Sequence, residues 1–304
     1  MYMKDDDGMP RVVAAITVDD CLLGGKPEDI ACLMKKVEKY FKISIEKNLE
    51  RHLGVDYKFL RDNNNEIYLE ATMTKKVDDI VKIFEDVTGE DVPTYETPGI
   101  PGYVLKKNEG QTLNVDKYRT LVGKLMFYTT KVGLKQSNAV RDLSRHMDDP
   151  GETHWMAMKR VVGYMKGQPT KGLRMTKPVE LRMVALADAD YAKDPVERKS
   201  VGGDIHTLGG CITSFSSRGE KSVSLSSTES EYKMLSNAAK EMKFEQMLLE
   251  EITSVKLPGI IFEDNSGAIF LVRNKQATLM LGITLYGNSV IGTLMVWYRD
   301  MSKR

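Results

Sequence analysis

Cysteine and histidine are scarce in these 304 residues, with 3 of the first and 4 of the second. Cys21, Cys32 and Cys211 stand apart with no paired spacing, so neither a disulfide framework nor a zinc site is expected, and a reducing, intracellular setting fits. His52, His146, His154 and His206 are equally scattered. Long apolar runs are missing too. The stretch from Thr278 to Trp297 comes nearest, but Tyr286, Asn288 and several glycines interrupt it, so no membrane partner is expected. Lys4 to Asp7 is charged where a secretory leader would be apolar, which predicts no signal peptide. Charge of one sign is not in excess either. With 44 Lys and Arg against 43 Asp and Glu, the net charge of +1 argues neither for nor against a polyanionic partner, because a small total can hide local stripes.

What is present is enough to fold. Hydrophobic residues make up 41% and charged residues 29%, a globular composition, and the length suits about two domains. One basic stripe stands out between His154 and Arg182: Lys159, Arg160, Lys166, Lys171, Arg174, Lys177 and Arg182, with Glu180 as the one acid. It reads as a nucleic-acid contact or, equally, as a solvated helix face.

Arg11 to Leu23 has apolar residues flanking Asp19-Asp20, as in strand, tight turn and strand, and the Asp5-Asp6-Asp7-Gly8 run before it reads as a turn. A helix follows Pro27, with Ile30, Leu33, Met34, Val37 and Phe41 on one face. Asn63 to Asn65 predicts a turn before a strand at Glu66 to Leu69, and Val77 to Val87 is helix-like. Pro93 to Gly110 is loop or linker. Tyr118, Leu121, Val122, Leu125 and Tyr128 form one helical stripe, and Trp155, Met158, Val162 and Met165 another, both read as core. Beyond Arg182 the pattern changes. Strands are predicted at Arg182 to Ala187, Asp204 to Leu208, Ile212 to Ser216, Ser222 to Leu225 and Gly259 to Glu263, with helices at Thr228 to Ile252 and Ser266 to Arg273.

Three carboxylates carry the chemistry this pattern allows. Asp188 and Asp264 end two predicted strands, and Glu231 lies in the first turn of the long helix. Strand-end aspartates on neighbouring strands can converge, and a helix crossing them can add a glutamate. Such oxygen ligands suit divalent cations, and a pair of cations roughly 3.5–4 Å apart can activate water against a phosphodiester. Each residue also has a structural explanation. Thr228-x-x-Glu231 matches a capping box, Asp264-Asn265-Ser266 suits a turn and helix start, and Asp188 with Asp190 could lie in a loop. Asp19-Asp20 at a hairpin tip suits Mg²⁺ and phosphates, as in polymerase palms, or is simply a turn.

At this point an ordered set of motifs resembles one family, the copia-type retrotransposon Pol polyproteins. Val18-Asp19-Asp20 with Leu22-Leu23-Gly24-Gly25 resembles their YVDD region, with Thr17 in place of the tyrosine. His52-Leu53-Gly54-Val55, Tyr118-Arg119 with Leu121 to Met126, Leu143-Ser144-Arg145, Pro150, His154-Trp155, Lys159-Arg160-Val161 and Lys166-Gly167 follow in order. So do Asp188 to Ala192, Arg198-Lys199-Ser200, Leu208-Gly209-Gly210, Leu225 to Tyr232, and Asp264-Asn265 with Ala268-Ile269. The resemblance covers nearly all of residues 1–275. It implies an α/β (α+β) fold. A truncated reverse-transcriptase palm and thumb would span 1–100 and a helical connection 101–180. A ribonuclease H-like mixed sheet with flanking helices would span 181–275, and an aberrant tail 276–304. It further implies Asp188, Glu231 and Asp264 as catalytic ligands of Mg²⁺ or Mn²⁺, Asp19 and Asp20 as a polymerase remnant, and Lys159, Arg160, Lys166, Arg198 and Lys199 as nucleic-acid contacts. The implied reaction is hydrolysis of RNA in RNA–DNA hybrids, in a cytoplasmic particle or the nucleus, with no small-molecule substrate. The alternative is a non-catalytic nucleic-acid-binding relic, or a gene-model fragment without function.

Departures from the family qualify this. The polymerase fingers and the palm strand with the other aspartate are not found, so no DNA synthesis is expected. Lys131-Val132-Gly133 replaces an arginine-proline-aspartate segment, and Phe215 replaces a tryptophan. The lysine-histidine-isoleucine-aspartate block expected after Asn274 is missing, and with it the fourth carboxylate and the helix after it, so weak or absent hydrolysis is expected. The genetic code offers a reason. With permitted codons, reading Lys275 to Thr284 from each third base can give Thr-Ser-His-Ile-Asp-Val-Arg-Tyr-His, close to the missing block. Residues 276–304 are therefore expected to be frameshifted and poorly packed. The coding DNA for residues 275–287 should read Ile-Asp-Val-Arg in another frame; any other reading removes the explanation.

Overall fold

The computed structural model describes residues 2–4, 10–46, 48–178, 180–194, 196–274 and 283–286. The alternation of Pro10–Thr17 (β2) buries Val12 and Ala14, and this strand pairs antiparallel with Asp20–Gly25 (β3), Thr17 facing Asp20. Val18 and Asp19 make the tight turn that the sequence predicts. Tyr2–Lys4 (β1) pairs with the other edge of β2. Helix α1, Pro27–Val37, opens with its proline in the first turn and holds buried Asp29 against Arg11. It ends sooner than expected. The Val37 carbonyl accepts from both Tyr40 and Phe41 N–H groups, a tightened last turn, and Phe41 is left exposed rather than on the apolar face. The turn predicted at residues 5–8 lies outside the described residues.

Arg51–His52 (β4), Val55–Arg61 (β5), Ile67–Thr72 (β6) and Leu173–Thr176 (β7) form an antiparallel sheet in that order. Helices α2 (Thr74–Thr88), α3 (Val115–Thr129), α4 (Ser137–Ser144) and α5 (Glu152–Lys166) pack with it. Both predicted helical stripes are core. Phe84, Tyr118, Leu121, Leu125, Met158 and Val162 are buried in one cluster, and Trp155 lies edge-on to Tyr118 at 5.5 Å. That cluster also takes in Val92 and Leu105. The expected boundary between 1–100 and 101–180 is therefore not a boundary between packed units. Apolar residues on both sides of it fill the same core, and β7 returns to pair with β6.

Beyond β7 a second sheet has its own core. Its strands are Met183–Asp190 (β8), Val201–Leu208 (β9), Cys211–Gly219 (β10), Gly259–Phe262 (β11) and Ile283–Tyr286 (β12), in the order β10-β9-β8-β11-β12. Strand β9 runs antiparallel to both β8 and β10, while β11 runs parallel to β8 and β12 parallel to β11. Helix α6, Ser227–Thr253, connects β10 to β11, and α7, Ser266–Asn274, connects β11 to β12. Met183, Ala185, Ala187 and Ala189 alternate into the core under Met234, Leu235, Ala238 and Met242 of α6. A Cβ at Gly202 or Gly259 would meet the Met234 or Met242 Cγ at 3.0 Å, so strand and helix approach as closely as those glycines permit.

Three expectations need correction here. Strand β8 continues to Asp190, so Asp188 lies within it. Ser222 to Leu225 is not a strand. Buried Ser224 donates to Glu220 at 2.6 Å and the Leu225 N–H to Glu229 at 2.7 Å, so its polar groups are satisfied locally. Of the tail 276–304, only 283–286 lie within the described residues, and rather than being loose they form β12, an Ile-Thr-Leu-Tyr segment of high strand propensity. Among the described residues no helix is long and apolar enough to cross a membrane.

The cores predict which substitutions act together. Phe84→Ala and Met158→Ala should each cost about 2–5 kcal/mol and weaken the same urea transition, although they flank residue 100. Met242→Ala should instead destabilise the second sheet and lower the urea midpoint of its unfolding.

Candidate metal centre

Register alone brings two aspartates level. Leu186 of β8 pairs with Phe262 of parallel β11, so two residues further on Asp188 and Asp264 stand at the same end of neighbouring strands. Glu231 enters from α6, one turn past the helix start. One carboxylate oxygen from each of Asp188, Glu231 and Asp264 lies within 4.8 Å of the others, and no other such group of acids, histidines or cysteines occurs among the described residues.

The capping alternatives fall to neighbouring residues. Ser226 Oγ accepts the Glu229 N–H at 3.1 Å, and the Glu229 carboxylate accepts the Leu225 N–H, so Ser226 and Glu229 close the start of α6. Thr228 instead donates to Asn265 Oδ1 at 3.4 Å. Asn265 Oδ1 also accepts the Ala268 N–H at 2.9 Å and so caps α7. Both helix starts are satisfied without Glu231 or Asp264.

The freed carboxylates repel one another. Burial, then the Asp264 charge, holds the Asp188 carboxyl above its usual range. Burial, reinforced by Glu263, Asp188 and Asp264, pushes Glu231 up to about 8. Glu263 was not foreseen as a member of this group. It is fully buried, is pushed up to about 7 chiefly by burial, and gives one oxygen to the Asn265 N–H at 3.1 Å. Its other oxygen, like Glu231 Oε2, is buried with no partner among the described residues. The signal was legible. An apolar strand, Ile260-Ile261-Phe262, runs straight into an acid beside Asp264, and a strand covered on both faces buries the residue that follows it. The donors are hard carboxylate oxygens that no cationic side chain pairs with among the described residues, which fits Mg²⁺ or Mn²⁺.

The other predicted site residues are placed differently. Asp19 and Asp20 lie exposed at the β2–β3 tip beside Val18, which is 92% exposed with a left-handed φ of 51°. Among the described residues no third carboxylate joins them. Lys159 pairs with Glu90, and Lys166 bonds Glu85 at 2.9 Å and Asp91 at 2.7 Å. Arg160 donates to Thr97 at 2.7 Å and covers the Tyr95 ring at 5.0 Å. These cations therefore bind α5 to the end of α2 and the loop after it. Lys199 pairs with Glu197 at 2.7 Å, and Arg198 is exposed in the same β8–β9 loop.

No family model matches the chain. Among curated proteins it is 31% identical over 272 residues to the Retrovirus-related Pol polyprotein from transposon RE1 of Arabidopsis thaliana, covering 88% of this chain and 18% of that one. It is 27% identical over 286 residues to the corresponding polyprotein from transposon TNT 1-94 of Nicotiana tabacum, covering 91% of this chain and 21% of that one. The Secreted RxLR effector protein 161 of Plasmopara viticola is 38% identical over 124 residues, 41% of this chain and 87% of that protein. The chain thus spans about a fifth of the length of the transposon polyproteins it matches. Since that similarity runs along nearly all of its residues, in step with the ordered motifs, the chain belongs to the copia-type retrotransposon Pol polyproteins.

Proposed function

We propose that residues 181–286 carry a ribonuclease H-type centre that binds divalent cations and acts, weakly, on the RNA strand of RNA–DNA hybrids. The observation that supports this most is the convergence of Asp188, Glu231 and Asp264 while Ser226, Glu229 and Asn265 take over the capping roles. Asp188 and Asp264 would hold Mg²⁺ or Mn²⁺ from two neighbouring strands, and Glu231 from the helix above. When bound, such ions neutralise a phosphodiester and lower the pKa of the attacking water. The buried walls beside Glu231 and Glu263 keep these charges from being screened by solvent. Asp19 and Asp20 are read as a polymerase remnant without catalytic function. The missing Lys-His-Ile-Asp block favours a second reading, a relic that binds nucleic acid without cutting it, and one assay separates the two.

Mn²⁺ should bind weakly, and Asp188→Asn should reduce its affinity about tenfold or more. Cleavage of a labelled hybrid should be small and lost in the same variant. Hybrid cleavage that Asp188→Asn leaves intact would rule the centre out.

Stability should depend on pH in a definite direction. Glu231 titrates near 8 in the folded chain against an ordinary value of 4.5, so folding takes up a proton between those values. Asp188 on β8, with Glu263 and Asp264 after β11, faces it and adds to the effect. Without divalent ions the melting temperature should therefore fall as pH rises from about 5 to 8. Glu231→Gln should melt above the parent at pH 8, and the gap should close towards pH 5. A parent that gains stability over this range, or a Gln variant that melts lower at pH 8, would contradict the assigned shift.

A further inference from the structure

With Lys159, Arg160 and Lys166 held by neighbouring groups, the basic surface best placed for a ligand lies elsewhere. A groove of about 530 Å³ runs between α6 and the end of β10 with its following loop. Its walls include Arg218, Lys221, Tyr232, Lys233, Asn237 and Lys240, and Glu220 is the acid among its lining residues. Two of the cations are shared: Arg218 with Asp204 at 3.6 Å, and Lys233 with Glu229 at 2.8 Å and Glu220 at 3.6 Å. Lys221 and Lys240 are exposed and pair with nothing among the described residues, and half-buried Asn237 lines the groove between them. The groove begins beside the carboxylate centre. Its floor residue Gly202 is the cross-strand partner of Ala189, next to Asp188, and Tyr232 follows Glu231 on α6. From Lys233 to Lys240 it extends about 10 Å along the helix, room for more than one phosphate.

We propose that this groove holds the sugar–phosphate backbone of a nucleic-acid strand, with Lys221 and Lys240 on successive phosphate groups, Asn237 as a further donor and the Tyr232 ring against a sugar or base. The choice of nucleic acid rests on the reading that the adjoining carboxylates act on a phosphodiester. The concave shape also suits a strand better than a flat lipid surface. Cations with no partner to lose bind phosphate at least internal cost and release counterions from it, so binding here depends steeply on salt.

The test uses the full chain, a fluorescent RNA–DNA hybrid and anisotropy in EDTA, so that affinity does not depend on the metal centre. Lys221→Glu combined with Lys240→Glu should weaken binding at least about tenfold near 0.1 M salt and reduce the log–log salt slope by about two. Lys117→Glu, at an exposed lysine of α3 remote from the groove, should change neither. Both groove lysines are exposed and unpaired, so circular dichroism should show an unchanged fold. Unchanged affinity and slope in the double variant, or an equal loss in Lys117→Glu, overturns the proposal. So does equally tight, equally lysine-dependent binding to phosphatidylserine vesicles. If the parent binds no nucleic acid but binds Mn²⁺ through Asp188, the groove falls and the metal centre stands. If hybrid binding follows Lys221 and Lys240 while Mn²⁺ binding ignores Asp188, only the metal centre falls.

Discussion

Helix α6 lies close to the second sheet because the strands beneath it carry so little side chain. Ala185, Ala187 and Ala189 present single methyl groups, Gly202 and Gly259 none, and Met234 and Met242 fill the remaining space with flexible thioethers. This close approach lowers the N-terminal part of α6 onto the end of β8, where Glu231 meets Asp188. Larger residues at those positions would lift the helix and separate the carboxylates without touching any of them. The geometry of the centre is thus set by the size of apolar residues several positions away from it.

That closeness has an electrostatic consequence. Asp188, Glu231, Glu263 and Asp264 share one end of the sheet, and burial deprives two of them of solvent. In the absence of a counter-charge the fold accommodates them by holding protons. A structure selected for stability alone would put amides or apolar groups there. Retaining the acids costs stability at neutral pH, the usual relation between a reactive cluster and its scaffold. The capping residues matter here as well: without Ser226, Glu229 and Asn265, the helix starts would draw the same carboxylates towards backbone N–H groups.

Elements with strong periodicity were legible from the residues. The hairpin about Val18-Asp19, helices α2, α3, α5 and α6, and strand β11 lie within a few residues of where the pattern puts them. Less legible were features that depend on competition. Ser222 to Leu225 alternates like a strand, yet hydroxyl and carboxylate partners nearby satisfy it first. Thr228-x-x-Glu231 and Ser226-x-x-Glu229 are both capping boxes on paper, and only the register of the first helical turn decides between them. The basic residues of α5 looked available because their acidic partners, Glu85, Glu90 and Asp91, lie some seventy to eighty positions earlier in the chain, a separation that local pattern cannot bridge. Glu263 is a different case: the apolar run before it marks a buried strand, although a strand-end acid is ordinarily solvated.

Strand β12 shows what a sheet edge asks of the segment that occupies it. The parallel ladder from Gly259 opposite Ile283 to Phe262 opposite Tyr286 is made of peptide groups, which every residue but proline supplies alike. The open edge of β11 therefore acts as a generic receptor. It selects for extended, β-prone composition and is indifferent to the chemical role of the side chains it receives. A segment of such composition completes the sheet whatever reactive groups it carries or lacks. Shape and chemistry are in this way specified separately within a single strand.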